Sequence, residues 1–266
     1  MTAHVSEVFA KAAREHRAAL IGYLPAGFPT PEMSVRLINA MVGSGVDIVE
    51  VGLPYSDPLM DGPVIQQAVD QALAAGTTTD HVIDVVRQIA GAGATVVVMS
   101  YWNPIERYGV ERFAAGLQAA GGSGLIAPDL SPEEGADWAA AANAHDIDRI
   151  FMVAPSSTDA RIAEIVRHGS GFIYAASTMG VTGTRSSVGG AAHGLVARTR
   201  GFTTLPIAVG LGVSTAAQAA EVAAFADGVI VGSAFVRQVL EADSDSAAIA
   251  AVSELAGELS TGVRRL

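Results

Sequence analysis

The chain has 266 residues, half of them hydrophobic and only 16% charged, with a formal net charge of −11. That length fits one large α/β domain or two small ones, and the acid excess argues against nucleic-acid and acidic-membrane partners, which need basic surface. There is no cysteine, and Lys11, the only lysine, lies in an N-terminal helical segment far from any strand end; disulfides, thiolate catalysis, Cys-ligated metals and Schiff-base chemistry are excluded. Residues 1–7 lack the charged-then-apolar layout of a signal segment, and Gly, Pro or charge interrupts each apolar run short of a membrane span. The expectation is a soluble, cytoplasmic protein.

In chain order the strand candidates are residues 19–24, 46–51, 95–99, 124–127, 147–153, 172–175, 207–209 and 228–231. Helical patterns at 31–43, 64–74, 79–90, 110–120, 132–144, 159–167, 190–199 and 216–224 separate them. Thr30-Pro31, Ser131-Pro132 with Glu134 as a capping box, Thr158-Asp159 and Ser214-Thr215 mark helix starts. About eight βα units in this length predict an α/β chain folded as a closed (β/α)8 TIM barrel, one domain over residues 1–266, with an extra N-terminal helix. An open doubly wound sheet is the alternative.

The second strand carries the densest chemistry. Val46-Asp47-Ile48-Val49-Glu50-Val51 runs into Gly52-Leu53-Pro54-Tyr55-Ser56-Asp57-Pro58-Leu59-Met60-Asp61-Gly62-Pro63. Strand alternation sends Val49 and Val51 under covering helices and Glu50 into the strand layer's interior. A carboxylate buried there has a raised pKa, as a general acid or base at neutral pH requires. The competing reading pairs Glu50 with an arginine and makes Asp57 and Asp61 turn-formers.

Two late strands end in glycine and lead into helices: Val209-Gly210-Leu211-Gly212-Val213-Ser214 and Val231-Gly232-Ser233-Ala234. Bare backbone beside a helix N-terminus suits a phosphate, at the usual phosphate position of such barrels. The alternative is that these glycines only make tight turns. Residues 178–190, rich in Gly, Ser and Thr, read as a lid. Tyr174 precedes that loop and directs a hydroxyl toward the centre, unless it is simply a core aromatic. No two of the six histidines have ligand spacing, none ends a strand, and Gly-x-Ser-x-Gly is absent. No metal or cofactor is expected, and the remaining chemistry is proton transfer by carboxylates.

The run from Val49 to Pro63 closely resembles the signature of the tryptophan synthase alpha chain. Tyr23-Leu24-Pro25-Ala26-Gly27-Phe28-Pro29, Met99-Ser100-Tyr101-Trp102-Asn103-Pro104, Asp129-Leu130 with Glu133-Glu134, Gly180-Val181-Thr182-Gly183, Gly210 with Gly212, and Gly232-Ser233 resemble that family's other motifs in order. The resemblance implies retro-aldol cleavage of indole-3-glycerol phosphate to indole and glyceraldehyde 3-phosphate. It makes Glu50 the proton-moving acid/base, Asp61 the partner of the indole N–H and Tyr174 a supporting group. Tyr23, Ile65, Tyr101, Thr182, Gly183, Leu211, Gly212, Gly232 and Ser233 are then substrate and phosphate contacts. Pro54, Asp57 and Asn103 face a tryptophan synthase beta chain in an α2β2 complex. Met60, Leu211 and Thr178 depart from residues common in the family, which touches substrate packing and the lid. A stand-alone lyase for the same substrate and a phosphosugar isomerase on the same barrel are the competing functions; a partner subunit with a decayed site is disfavoured by the presence of both Glu50 and Asp61.

Overall fold

In the computed structural model, residues 4–176, 189–210 and 212–265 are described. The strands are β1 (Ala19–Pro25), β2 (Ile48–Gly52), β3 (Thr95–Met99), β4 (Gly124–Ile126), β5 (Asp148–Ile150), β6 (Met152–Val153), β7 (Ile173–Ala176), β8 (Ile207–Gly210) and β9 (Gly228–Val231). They form one parallel sheet in the order β5-β4-β3-β2-β1-β9-β8-β7-β6. The edge strands β5 and β6 are two halves of the single strand expected at 147–153, parted at Phe151. The first half pairs with β4 and the second with β7. The sheet therefore curls into a nearly closed barrel whose last junction is the chain itself, and the eight-stranded expectation holds with the fifth strand split.

The helices are α1 (Val5–Arg14), α2 (Pro31–Gly43), α3 (Pro63–Ala74), α4 (Thr79–Gly91), α5 (Trp102–Tyr108), α6 (Val110–Ala119), α7 (Ala136–Ala144), α8 (Asp159–His168), α9 (Gly189–Arg200), α10 (Ala216–Ala223), α11 (Ser233–Leu240) and α12 (Asp245–Gly262). Thr30, Thr158 and Thr215 cap α2, α8 and α10 by accepting from Met33, Arg161 and Gln218 amides. Two expectations are corrected. Ser131 and Glu134 do bond to each other, but they close a turn, and α7 starts only at Ala136. The Asn103-Pro104 segment, which lies outside the helical patterns at 79–90 and 110–120, is in the first turn of α5, a start that Pro tolerates because first-turn amides lack intrahelical acceptors.

Two apolar layers follow from strand alternation. Val49, Val51, Val96 and Val98 face the helices. Ile21, Ile48, Val97, Ile126, Ile150, Tyr174, Ala208 and Ile230 fill the barrel. α1 closes the N-terminal end with Val5, Phe9 and Ala12 in that inner layer, Phe9 lying 5.5 Å from the Phe172 ring. At the same end Arg17 forks onto Asp47, which also accepts from the Leu20 amide at 2.8 Å. One end is thus sealed, and the other is left for a ligand.

Candidate active site

At the C-terminal mouth, a cavity is lined by Tyr23, Glu50, Asp61, Ile65, Met99, Tyr174, Gly212, Ile230, Gly232 and Ser233. Glu50 is the middle residue of β2, level with Tyr23 on β1 and Val97 on β3, and points inward as alternation demands. It is 1% exposed. Its Oε2 has no hydrogen-bond partner among the described residues, so the pairing with an arginine considered above is absent there. Burial, and secondarily the Asp61 charge, push its carboxyl up to about 8. Such a group holds a proton at neutral pH and can give it up.

Asp61 lies just before α3. Burial raises its pKa, and a hydrogen bond from Tyr101 opposes the rise. The Tyr101 hydroxyl donates to Asp61 Oδ1 at 3.1 Å and accepts from the Met60 amide at 2.9 Å. Tyr101 itself is outside the cavity lining; it stands behind Asp61 and reaches the cavity through that carboxylate. Tyr23 and Tyr174 keep neutral hydroxyls: burial comes first in raising both, then the charges of Asp61 and Glu50 for Tyr23 and of Glu50 for Tyr174.

Two glycines make room for these rings. A Cβ on Gly52 would stand 2.7 Å from Tyr23 Cε2, and one on Gly210 would stand 2.7 Å from Tyr174 Cε1. Gly210, expected at the phosphate site, therefore also has a steric duty to Tyr174. Gly212 lines the cavity at φ +110°, where a side chain is strained. Gly232 and Ser233 line it as the N-cap and first residue of α11.

Thr182, Gly183 and Leu211 lie outside the described residues, as do residues 178–188 of the segment expected as a lid over 178–190, whereas Gly189 and Gly190 begin α9. Asp57 and Asn103 are exposed, Asp57 accepting from the Ser56 hydroxyl at 2.6 Å, whereas Pro54, expected beside them facing a partner, is buried within this chain. Met99 and Ile230 line the cavity without having been singled out. Their signal was in the pattern: Met99 follows inward Val97 by two residues, and Ile230 is level with inward Ile21. Among the described residues no group of three or more His, Asp or Glu is placed to hold a metal ion.

Fold and cavity together define a class: a (β/α)8-barrel protein whose C-terminal mouth holds a buried carboxylate, Glu50, and a partly buried one, Asp61, equipped for proton transfer. Comparison with known proteins narrows this. The family model described as "Tryptophan synthase alpha chain" matches residues 9–264. The tryptophan synthase alpha chain of Thermobifida fusca is 60% identical over 96% of both chains, and that of Acidothermus cellulolyticus is 58% identical over 100% of this chain and 98% of its own. A solved Mycobacterium tuberculosis tryptophan synthase structure superposes with a TM-score of 0.93 at 49% identity, covering 100% of both chains. The alpha subunit from Legionella pneumophila gives 0.87 at 32% identity over 97% of each. The chain belongs to the tryptophan synthase alpha chain family.

Proposed function

We propose that this cavity performs the family's reaction, retro-aldol cleavage of indole-3-glycerol phosphate to indole and glyceraldehyde 3-phosphate, with Glu50 as the general acid/base. The observation that carries the reading is the buried Glu50 carboxyl, raised to about 8 and sharing one cavity with Asp61. Glu50 delivers a proton to C3 of the indole ring, which turns the ring into a leaving group. Asp61 accepts from the ring N–H and stabilises the positive charge that develops there. The adjoining glycerol hydroxyl then gives its proton to the Glu50 carboxylate; as its C=O forms, the carbon–carbon bond breaks, the bonding pair returns to the ring, and indole and the aldehyde are released. Tyr174 supports Glu50 from β7.

The phosphate is assigned to Gly212, Gly232 and Ser233, with Thr182 and Gly183 from the lid. Support comes from α11: its first amides have no intrahelical acceptor. The nearest atoms to a Cβ on Gly232 would be those of Tyr23, at an ordinary 3.5 Å. Gly232 lines the cavity with bare backbone, which suits an anion. Tyr23, Ile65 and Leu211 border the rest of the substrate. The beta chain of an α2β2 complex docks on the mouth loops, where Asp57 and Asn103 are exposed, and receives the indole. No helix of the described residues is long and apolar enough to cross a membrane, and we assign the chain to the cytoplasm with its pathway.

The test is indole release from indole-3-glycerol phosphate by the purified chain, alone and with a tryptophan synthase beta chain. Slow release that the beta chain accelerates is expected. No release in either case would refute the assignment, and a full rate without the beta chain would identify a stand-alone lyase.

A further inference from the structure

Tyr101 is fixed from several sides. Its carbonyl accepts from the Ser100 hydroxyl at 2.8 Å, and the next amide, Trp102, donates to both Asp129 carboxylate oxygens at 2.9 and 3.1 Å. Its ring lies 5.4 Å from that of Tyr55, in the loop after β2. Its hydroxyl accepts from the Met60 amide and donates to Asp61 Oδ1. A single oxygen therefore joins the loop backbone, the anchored end of β3 and the carboxylate at the cavity. We propose that Tyr101 is a positioning residue that holds the Asp61 carboxylate toward the indole ring. This rests on the role proposed above for Asp61.

The titratable groups that feel the Asp61 charge are Glu50 on β2, Tyr23 on β1 and Tyr101 itself. Of these, Tyr101 is the one whose hydrogen bond pulls the Asp61 pKa down against burial. Tyr101→Phe removes that hydrogen bond and keeps the ring against Tyr55.

The first measurement needs no substrate. A ¹³C NMR titration of the Asp61 carboxyl in the free chain should show a higher midpoint in Tyr101→Phe than in the wild type, and an unmoved midpoint overturns the proposal. The second is kinetic. Tyr101→Phe should lower kcat about tenfold, the worth of one hydrogen bond to a charged group, with KM little changed and the acid limb of the kcat profile moved to higher pH. Tyr101→Phe combined with Asp61→Asn should be no slower than Asp61→Asn alone. A double variant slower by a further tenfold would mean that Tyr101 acts on the substrate directly, which also overturns the proposal. Full activity of Asp61→Asn would instead refute the catalytic reading, whatever the titration showed.

Discussion

Tyr23 on β1 lies across Gly52 on β2, close enough that a Cβ on Gly52 would stand 2.7 Å from two of its ring carbons. Tyr23 is the register partner of Glu50, so this contact sets the ring beside the proposed acid. Gly52→Ala should push the ring out of place, cost about 1–3 kcal/mol of stability and lower turnover. Gly43→Ala is the control, because a Cβ at that last residue of α2 meets nothing within 4 Å. It should be neutral or stabilising by about 0.5–1 kcal/mol. Urea midpoints and indole release check both, and equal behaviour of the two variants would contradict the packing argument.

Glu50→Gln preserves shape and removes the transferable proton. Turnover should fall by ~100-fold or more with KM little changed. Asp61→Asn should also lower turnover, since the charge facing the ring nitrogen is lost. Near-native kcat in either variant would remove that residue from the mechanism.

The raised Glu50 pKa also links stability to pH. The folded chain holds this proton up to about 8, while an unfolded glutamate releases it near its ordinary 4.5. Between those values the folded state binds more protons, so rising pH costs stability; below the lower value the cost is absent. Asp61, raised as well, acts with the same sign. Glu50→Gln should thus gain stability relative to the wild type as pH rises from about 5 to 8, by a few kcal/mol at the upper end. Tm measured across this range checks it; a constant difference would speak against a buried, titrating Glu50.

A glycerol phosphate should perturb the backbone amide resonances of Gly212, Gly232 and Ser233 before others. The chain's only lysine, Lys11, is on α1 at the sealed end, and no arginine is among the residues lining the cavity, so main-chain donors are expected to carry most of the anion binding. Perturbations confined to the sealed end would disprove the site.

Asp57 is exposed and outside the cavity lining. Asp57→Ala should reduce activation by the beta chain more than it reduces the basal rate. Steady-state assays with and without the beta chain measure the two, and a proportional fall in both would make Asp57 a basal-site residue.

Much of this arrangement was readable along the chain. The alternation of Ile48-Val49-Glu50-Val51 determines which side chains enter the barrel, because the strand period is two whatever the neighbours are. The Thr caps and Gly-ended strands likewise act within a few residues. The break at Phe151 was not readable, since one strand serves two partners only when the sheet curls round and the ends meet. Nor was the start of α7: Ser131 and Glu134 satisfy each other equally well in a turn, and their spacing is the same in both cases. The duties of Gly52 and Gly210 toward Tyr23 and Tyr174 were hidden because each pair lies on adjacent strands, far apart in sequence. So was the hydrogen bond between Tyr101 and Asp61, forty residues apart. The sequence alone determined which groups are available for the proposed chemistry and which way they point, through local periodicity. Only the tertiary structure decided how far those groups are desolvated, and therefore that Glu50 keeps its proton near neutrality, because burial is contributed by strands from the whole chain.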